Sequence, residues 1–137
     1  MVNIIASKEN LIYKALKIDI RRESRYCKKV DRVFLDKLNK RKPDTLEKFA
    51  DLWYEGYFDE DRNKHYHRSR YYGLNLHSFF NGNTVEFRSF NITTHAGKIK
   101  SYIQLCLAIS NQVLTKVVQV QEKPKAQTKN IPLEHCF

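Results

Sequence analysis

The segment RYYGLNLHSFFNGNTVEFRSFN, residues 70–91, constrains the fold more than any other part of the chain. Apolar and polar residues alternate on both sides of the dipeptide Asn81-Gly82. Both central positions of a tight type I′ turn need a positive φ, which Asn and Gly tolerate better than other residues. The segment therefore predicts an antiparallel β-hairpin that turns at Asn81-Gly82.

The predicted register gives this hairpin a polar face and an apolar face. Around a two-residue turn, Asn75 would lie opposite Arg88, and His77 would lie opposite Glu86. The apolar side chains would meet on the other face: Leu74, Leu76, Val85 and Phe87. The polar face suits either the solvated side of an ordinary half-buried hairpin or a sheet face that carries chemistry. The pattern alone leaves both interpretations open.

Helical periodicity predicts four helices around the hairpin. They are expected over residues 8–17 with Ser7 as the cap, over about 31–40 before Pro43, from an Asp44–Glu47 capping box to Gly56, and from after Thr94 to near Val120. Residues 57–69 predict a loop, in which His65 and His67 are too few to indicate a zinc site. The expected fold class is α+β, with an antiparallel hairpin or small sheet packed on several helices.

The length of 137 residues suits one domain with its own core. We expect a single domain over residues 1–121 and a flexible tail over 122–137, where two prolines and few apolar residues occur. No stretch is apolar enough for a membrane span, and the first residues lack a signal-peptide pattern. The three cysteines form no C-x-x-C pair. These features predict a cytoplasmic protein that does not associate with a membrane.

The net charge of +10 is concentrated in one region. Residues 17–42 contain eleven Lys and Arg residues and four Asp and Glu residues, which together contribute +7. The basic cluster comprises Arg21, Arg22, Arg25, Lys28, Lys29 and Arg32. Such a cluster could contact phosphates, but no helix-turn-helix or other reader motif accompanies it. A basic nucleic-acid-binding protein is therefore an alternative hypothesis.

Three pieces of sequence, SRYYGLNLHS, TVEFRSF and HAGKIKSYIQLCLAIS, resemble in this order the carboxy-terminal portion of the amidoligase family. The resemblance extends upstream through VNIIASKENLIYKALKI and LEKFADLWYEG, so it covers most of residues 2–118. This family resembles glutamine synthetase and glutamate-cysteine ligase in fold. The resemblance implies an ATP-dependent carboxylate-amine ligase, in which the carboxylate is phosphorylated and an amine attacks the acyl phosphate. It further implies ATP and Mg²⁺ as cofactors, and an amino or carboxylate small molecule or a peptide as substrate.

The resemblance also implies roles for five polar residues of the hairpin and its approach. Glu86 is the expected Mg²⁺ ligand, because Mg²⁺ prefers hard carboxylate oxygens. Arg88 is the expected catalytic clamp for a phosphoryl group or a substrate carboxylate, and Arg70 a second anion binder. Asn75 would orient a metal-bound water or a polar group of the cofactor or substrate. His77 would bind substrate or carry a proton during catalysis.

The chain departs from the family pattern in one respect. Complete relatives are expected to be considerably longer and to begin with a strand that carries acidic metal ligands of an E-x-E type. No such strand is evident in this sequence. We therefore expect a fragment, a truncated form, or one half of an assembly that a second chain completes. A catalytically inactive structural or assembly module is a further alternative.

Overall fold

A computed structural model of the chain describes residues 1–121, with the side chains of residues 1–116. These residues form seven α-helices and a two-stranded antiparallel sheet. The helices are α1 (Val2–Ala6), α2 (Glu9–Ala15), α3 (Ile20–Arg25), α4 (Arg32–Arg41), α5 (Leu46–Tyr54), α6 (His77–Gly82) and α7 (Ala96–Gln121). The strands are β1 (Leu74–Asn75) and β2 (Glu86–Phe87), and a 3₁₀ turn spans Arg68–Tyr71. The predicted α+β class is confirmed, and the predicted tail lies outside the described residues.

Strand β1 has a backbone partner on each side. Leu74 pairs with Phe87 and Asn75 with Glu86. On the other side, Lys28 forms a parallel bridge with Tyr72. Gly73 bonds to both neighbours, since its N–H donates to the Lys28 carbonyl over 2.8 Å and its carbonyl accepts from the Arg88 N–H over 2.7 Å. The β1–β2 ribbon is thereby joined to the segment between α3 and α4.

The predicted turn at Asn81-Gly82 is wrong, because these residues end α6. The side chain of Asn75, one residue before the N-cap Leu76, favours this helix: its Oδ1 accepts the backbone N–H groups of His77 and Ser78 over 3.0 Å and 3.4 Å. The helix stops at Asn83, which adopts the left-handed conformation with φ 55°. Local capping by Asn75 thus replaces the two-residue hairpin turn with a helical connection.

The longer connection changes the pairing by two residues. Asn75 lies opposite Glu86, so the predicted pairs of Asn75 with Arg88 and of His77 with Glu86 are wrong. A shift of two residues leaves each strand side chain on its predicted face, because side chains alternate with a period of two. The apolar face is therefore confirmed. Its members are buried or pack against the core: Leu74, Leu76, Val85 and Phe87.

Three of the four predicted helices are confirmed as α4, α5 and α7. The predicted cap of α5 is one residue too early. Thr45 is the capping residue, and its Oγ1 accepts from the Lys48 N–H over 3.2 Å. The Asp44 carboxylate instead pairs with the Lys48 ammonium over 2.7 Å. Asp44 therefore contributes a surface ion pair rather than the cap.

The amino-terminal region contains two more helices than predicted. Only Glu9–Ala15 of the predicted helix over residues 8–17 is helical, and Ser7 ends α1 instead of capping α2. Helix α3 was not predicted, and it begins where the Asp19 carboxylate accepts the Arg21 N–H over 2.8 Å. No residue of α3 is buried, so its sequence contains no apolar stripe that would predict a helix.

The core lies between the helices and the apolar face of the ribbon. Its buried members come from α1, α4, α5, β1, α7 and the segments beside them: Val2, Ile5, Val30, Phe34, Leu52, Trp53, Tyr54, Leu74, Leu76 and Ile109. A two-stranded ribbon is marginal in water unless its apolar face is covered. Because the helices cover that face, the opposite face of the ribbon can hold polar side chains in fixed positions.

Candidate functional site

Three polar side chains form a hydrogen-bonded row on the ribbon, which we call the ribbon site: Asn75, Glu86 and Arg88. Asn75 Nδ2 donates to Glu86 Oε2 over 2.6 Å, and Arg88 Nη1 donates to the same oxygen over 3.3 Å. Asn75 is buried, whereas the Glu86 side chain is 45% exposed and that of Arg88 is 18% exposed. The row therefore runs from the interior to an accessible carboxylate and a partly covered guanidinium.

Tyr71 joins the ribbon site to Arg70. The guanidinium carbons of Arg88 and Arg70 lie 5.5 Å and 6.0 Å from the centroid of the Tyr71 ring. Arg88 Nε also donates to the Tyr26 carbonyl over 3.3 Å, and Arg70 Nη1 donates to the His65 carbonyl over 3.1 Å. Two guanidinium groups are thus held around one aromatic ring, an arrangement stabilised by cation–π attraction. The sequence suggested both arginines but not the ring between them.

His77 lies in a buried aromatic cluster behind the ribbon rather than on its open face. His77 is the first residue of α6, and its Nδ1 is 2.7 Å from the Tyr54 hydroxyl. Asn81 Nδ2 donates to the same hydroxyl over 3.2 Å, so the Tyr54 hydroxyl contacts both side chains. A direct proton transfer from His77 to substrate would require this cluster to open. Its catalytic role stays a prediction.

His67 was expected in a plain loop, yet its ring is fully buried in the same cluster. The rings of His67 and His77 stack at 5.1 Å with an interplanar angle of 14°. His67 Nδ1 accepts from the Ser69 N–H over 3.1 Å, and Nε2 lies 3.8 Å from a Glu60 oxygen. The only signal in the sequence was the density of aromatic residues around His67. These aromatic residues do not recur at a helical or strand spacing, so the sequence does not indicate that His67 is buried.

The two stacked histidines predict a loss of stability in mild acid. Burial lowers the pKa of both imidazoles below the ordinary value of 6.5, and for His77 the neighbouring His67 ring lowers it further. Near pH 6.5 the unfolded chain therefore binds more protons than the folded chain. Their contribution to stability is complete above pH 6.5 and is lost as the pH falls through the lower folded values. Urea midpoints measured at pH 7.5, 6.5 and 5.5 should decrease in that order.

A variant assigns this acid sensitivity to the histidine pair. We expect His67→Gln to show a smaller decrease in urea midpoint between pH 7.5 and 5.5 than the unmodified chain. Glu60 affects stability only at lower pH, because the Arg68 backbone N–H, together with the Arg68 and Lys64 side chains, lowers the pKa of its carboxyl group to about 2. An unchanged pH dependence in His67→Gln would contradict the assignment.

The ribbon site suits an anion better than a metal ion held entirely by protein ligands. Among the side chains of residues 1–116, no group of three or more His, Cys, Asp and Glu residues is placed to hold a metal. Mg²⁺, however, is often bound by one or two carboxylates together with phosphate oxygens and waters. The accessible Glu86 carboxylate fits the role of one such ligand. Arg70 Nε is buried and has no hydrogen-bond partner within residues 1–116, so an anion would have to reach the other guanidinium nitrogens of Arg70.

One protein-family model matches most of the chain. A family model described as "putative amidoligase enzyme" matches residues 1–110. The chain belongs to the amidoligase family. No curated protein and no solved structure matches it. A likeness of this chain to the fold of glutamine synthetase therefore stays a prediction.

The basic cluster is divided between structural and exposed residues. Arg22 Nη2 donates to the carbonyls of Arg88 and Phe90 over 3.1 Å and 2.9 Å. Lys29 pairs with Glu23 over 2.9 Å. The other members are exposed and make no ion pair with any residue that the structure describes: Arg21, Arg25, Lys28 and Arg32. Part of the charge that suggested nucleic-acid binding thus serves to hold the segment after β2.

Each described helix is either shorter or less apolar than a membrane span requires. None within residues 1–121 is both long enough and apolar enough to cross a bilayer. The longest, α7, has 26 residues and includes lysines in its first turns. The predicted cytoplasmic location stays a prediction.

Proposed function

We propose that this chain takes part in the ATP-dependent joining of a carboxylate to an amine at the ribbon site. In that reaction the carboxylate is phosphorylated, and the amine then displaces phosphate from the acyl phosphate to give an amide. The observation that supports this most is the continuous row from Asn75 through Glu86 to Arg88 on the accessible side of the ribbon. Membership of the amidoligase family supports the reaction class.

Arg88 is the proposed clamp for the transferred phosphoryl group or the substrate carboxylate. Its guanidinium is fixed by the Tyr26 carbonyl and by Glu86, and it packs on the Tyr71 ring. A guanidinium held in place loses little side-chain entropy on binding an anion, and its fork geometry matches two oxygens. Arg70, on the same ring, supplies a second cation for the same anion.

Glu86 is the proposed protein ligand for Mg²⁺, and Asn75 is the residue that orients it. When bound, the Mg²⁺–ATP pair supplies the phosphoryl group and screens its negative charge. The Asn75 amide holds one Glu86 oxygen, while the exposed part of the carboxylate remains accessible. Asn75 in turn is fixed by the first turn of α6, so the orientation of Glu86 depends on how β1 passes into that helix.

A thermal-shift titration tests the proposed function. With several millimolar Mg²⁺–ATP, we expect the melting temperature to rise by about 3 °C or more, because a ligand of the native state stabilises it. Arg88→Ala should abolish the rise, and Glu86→Gln should remove its dependence on Mg²⁺. Arg25→Ala is the matched control, since it removes one exposed arginine without a described ion-pair partner and should leave the rise unchanged.

Two results would count against the proposal. No stabilisation of the unmodified, folded chain by millimolar Mg²⁺–ATP would favour an inactive structural module. Equal responses of Arg88→Ala and Arg25→Ala would show that any nucleotide binding lies away from the ribbon site. Circular dichroism of each variant separates loss of binding from loss of folding, because Arg88 also contacts the Tyr26 carbonyl.

Nucleic-acid binding is a second candidate function, supported by the four exposed basic residues of the cluster. If they contact phosphates, simultaneous replacement of Arg21, Arg25 and Lys28 by alanine should weaken binding to a short duplex by roughly tenfold or more and lower its salt dependence. Glu86→Gln should leave that binding unchanged. A fluorescence-anisotropy titration at two salt concentrations checks both outcomes. Binding that survives the triple replacement would exclude this surface.

A further inference from the structure

A pocket between α4, α5 and the approach to β1 lies apart from the ribbon site. Its volume is about 130 Å³, similar to the roughly 150 Å³ of engineered cavities that bind benzene. Four aromatic side chains contribute to its lining: Phe34, Trp53, Tyr57 and Tyr72. Three charged side chains also line it: Asp31, Lys37 and Glu55. Val33 and Leu52 complete the lining, so the pocket combines aromatic and aliphatic side chains with charged ones.

The aromatic members hold one another in fixed positions. The rings of Phe34 and Trp53 meet edge to face at 5.1 Å, and those of Trp53 and Tyr72 lie 5.2 Å apart. Phe34 and Trp53 are buried, whereas Tyr57 and Tyr72 are half-buried. The hydroxyls of the two tyrosines lie 3.4 Å apart and can bond to each other. Four mutually packed aromatic rings thus contribute to the lining of one small volume.

The charged members leave one carboxylate oxygen free. Glu55 is occupied on both sides, by Lys37 over 3.0 Å and by Arg41 over 3.0 Å. Asp31 accepts the Val33 N–H over 3.1 Å with one oxygen, and its other oxygen has no partner among the described residues. Asp31 is therefore the carboxylate that remains available to attract a cation into the pocket.

We propose that this pocket binds a quaternary ammonium group, such as the head of a choline-like molecule. A ring of aromatic faces attracts a cation through the ring quadrupoles, and attraction is strongest when the cation is weakly hydrated. A primary ammonium has three N–H donors that need acceptors. The pocket offers a single free carboxylate oxygen, because the Glu55 carboxylate is already paired with Lys37 and Arg41, and the rest of its lining is aromatic or aliphatic. A quaternary head has no such donors, fits the volume, and gains both the aromatic contacts and the field of Asp31.

Trp53 is the only tryptophan of the chain and lines this pocket, so its fluorescence reports on occupancy directly. Titration with tetramethylammonium or choline, against sodium chloride at equal ionic strength, should give a saturable change with a dissociation constant on the order of 1 mM. The neutral isostere 3,3-dimethylbutan-1-ol should bind at least about tenfold more weakly, because it lacks the charge. Equal responses to choline and to the neutral isostere would overturn the proposal.

Two substitutions test the electrostatic contribution to choline binding, and they should change the affinity in opposite directions. Asp31→Asn keeps a side-chain oxygen to cap α4 and removes only the charge, so it should weaken choline binding roughly fivefold while the chain stays folded. Lys37→Gln removes the competing cation and leaves Glu55 paired with Arg41, so it should tighten binding roughly threefold. An unchanged dissociation constant in Asp31→Asn, with an unaltered circular dichroism spectrum, sinks the assignment.

A ring-deletion pair tests the aromatic part. Tyr57→Phe keeps the ring and should retain choline binding, whereas Tyr57→Leu removes it and should weaken binding roughly fivefold. The Tyr57 ring also packs against His67, so the melting temperature of each variant is measured first. If Tyr57→Leu does not fold, the comparison of the unmodified chain with Asp31→Asn decides the proposal. Loss of choline binding in Tyr57→Phe would contradict a role for the ring.

The same chemistry can be presented by a free molecule or by a phosphatidylcholine headgroup. Cosedimentation with phosphatidylcholine vesicles that free choline competes away would identify the headgroup as the carrier. Choline binding without cosedimentation would identify a free small molecule. A negative result in the choline titration or in the cosedimentation does not bear on the proposed function of the ribbon site. That function is tested by the thermal shift with Mg²⁺–ATP, which depends on Arg88 rather than on Asp31.

Discussion

Replacing Gly73 by alanine is expected to lower the free energy of unfolding by about 2 kcal/mol or more. A Cβ atom at this position would overlap the Tyr13 hydroxyl and press on Ser89 Oγ. The hydroxyl cannot move away freely, because Tyr13 is buried and donates to the Cys27 carbonyl over 2.7 Å. Urea denaturation monitored by circular dichroism measures the change. Since Gly73 bonds to both neighbours of β1, the ribbon site should be affected as well.

Gly82→Ala is the matched control for this prediction. Its new Cβ atom would meet nothing closer than Thr84 Oγ1, at 3.9 Å, which is an ordinary contact. We expect a change within about 0.5 kcal/mol, or a small gain because alanine favours the helix over glycine.

A double-mutant cycle identifies the cause of the Gly73 effect. Tyr13→Phe removes the hydroxyl that Gly73→Ala would strike, so the two replacements together should cost less than the sum of their separate costs. Strict additivity would point to a cause other than this overlap. Tyr13→Phe alone should cost about 1 kcal/mol, because the buried Cys27 carbonyl loses the hydroxyl that donates to it.

The sequence correctly predicted that Asn75, Glu86 and Arg88 share the polar face of the ribbon. It wrongly placed His77 on that face and predicted the wrong connection between the strands. The Asn-Gly pair is a strong hairpin signal when nothing competes with it. Here Asn75 caps the following residues into a helix, and Phe80 of that helix packs against Phe49 at 5.4 Å. Because the pairing changed by an even number of residues, Asn75 and Glu86 still lie on one face. Alternation within a strand is thus more robust than register.

The parts of the site that the sequence did not predict depend on long-range contacts. Helix α3 has no buried residue, and its Ile20 is exposed, so no apolar stripe identifies it. His67 is buried by Tyr54 and Tyr57, from the end of α5 and the loop after it, and by His77 from the start of α6. Local patterns of charge and hydropathy contain no information about such partners. For the same reason, one member of the basic cluster proved to be a structural residue.

That structural residue gives the second large expected effect: Arg22→Ala should lower the free energy of unfolding by about 3 kcal/mol. Arg22 Nη2 donates to the carbonyls of Arg88 and Phe90, and hydrogen bonds from charged donors contribute about 1.5–3 kcal/mol each. The replacement leaves both carbonyls without this donor. It also frees the segment after β2 from α3, so Mg²⁺–ATP should stabilise the folded variant less than the unmodified chain. Urea denaturation and thermal shift measure the two effects.

Arg21→Ala separates this explanation from a general effect of charge. Arg21 precedes Arg22 on α3, is exposed, and has no ion-pair partner within the described residues, so its removal should change stability by less than about 0.5 kcal/mol. Arg22→Lys should recover only part of the loss, because an ammonium lacks the planar fork of the guanidinium. If the cluster acted only on nucleic acid, Arg21→Ala and Arg22→Ala would weaken binding alike and spare stability. If Arg22→Ala instead loses more stability than Arg21→Ala and is stabilised less by Mg²⁺–ATP, the result would support a role of Arg22 in positioning Arg88.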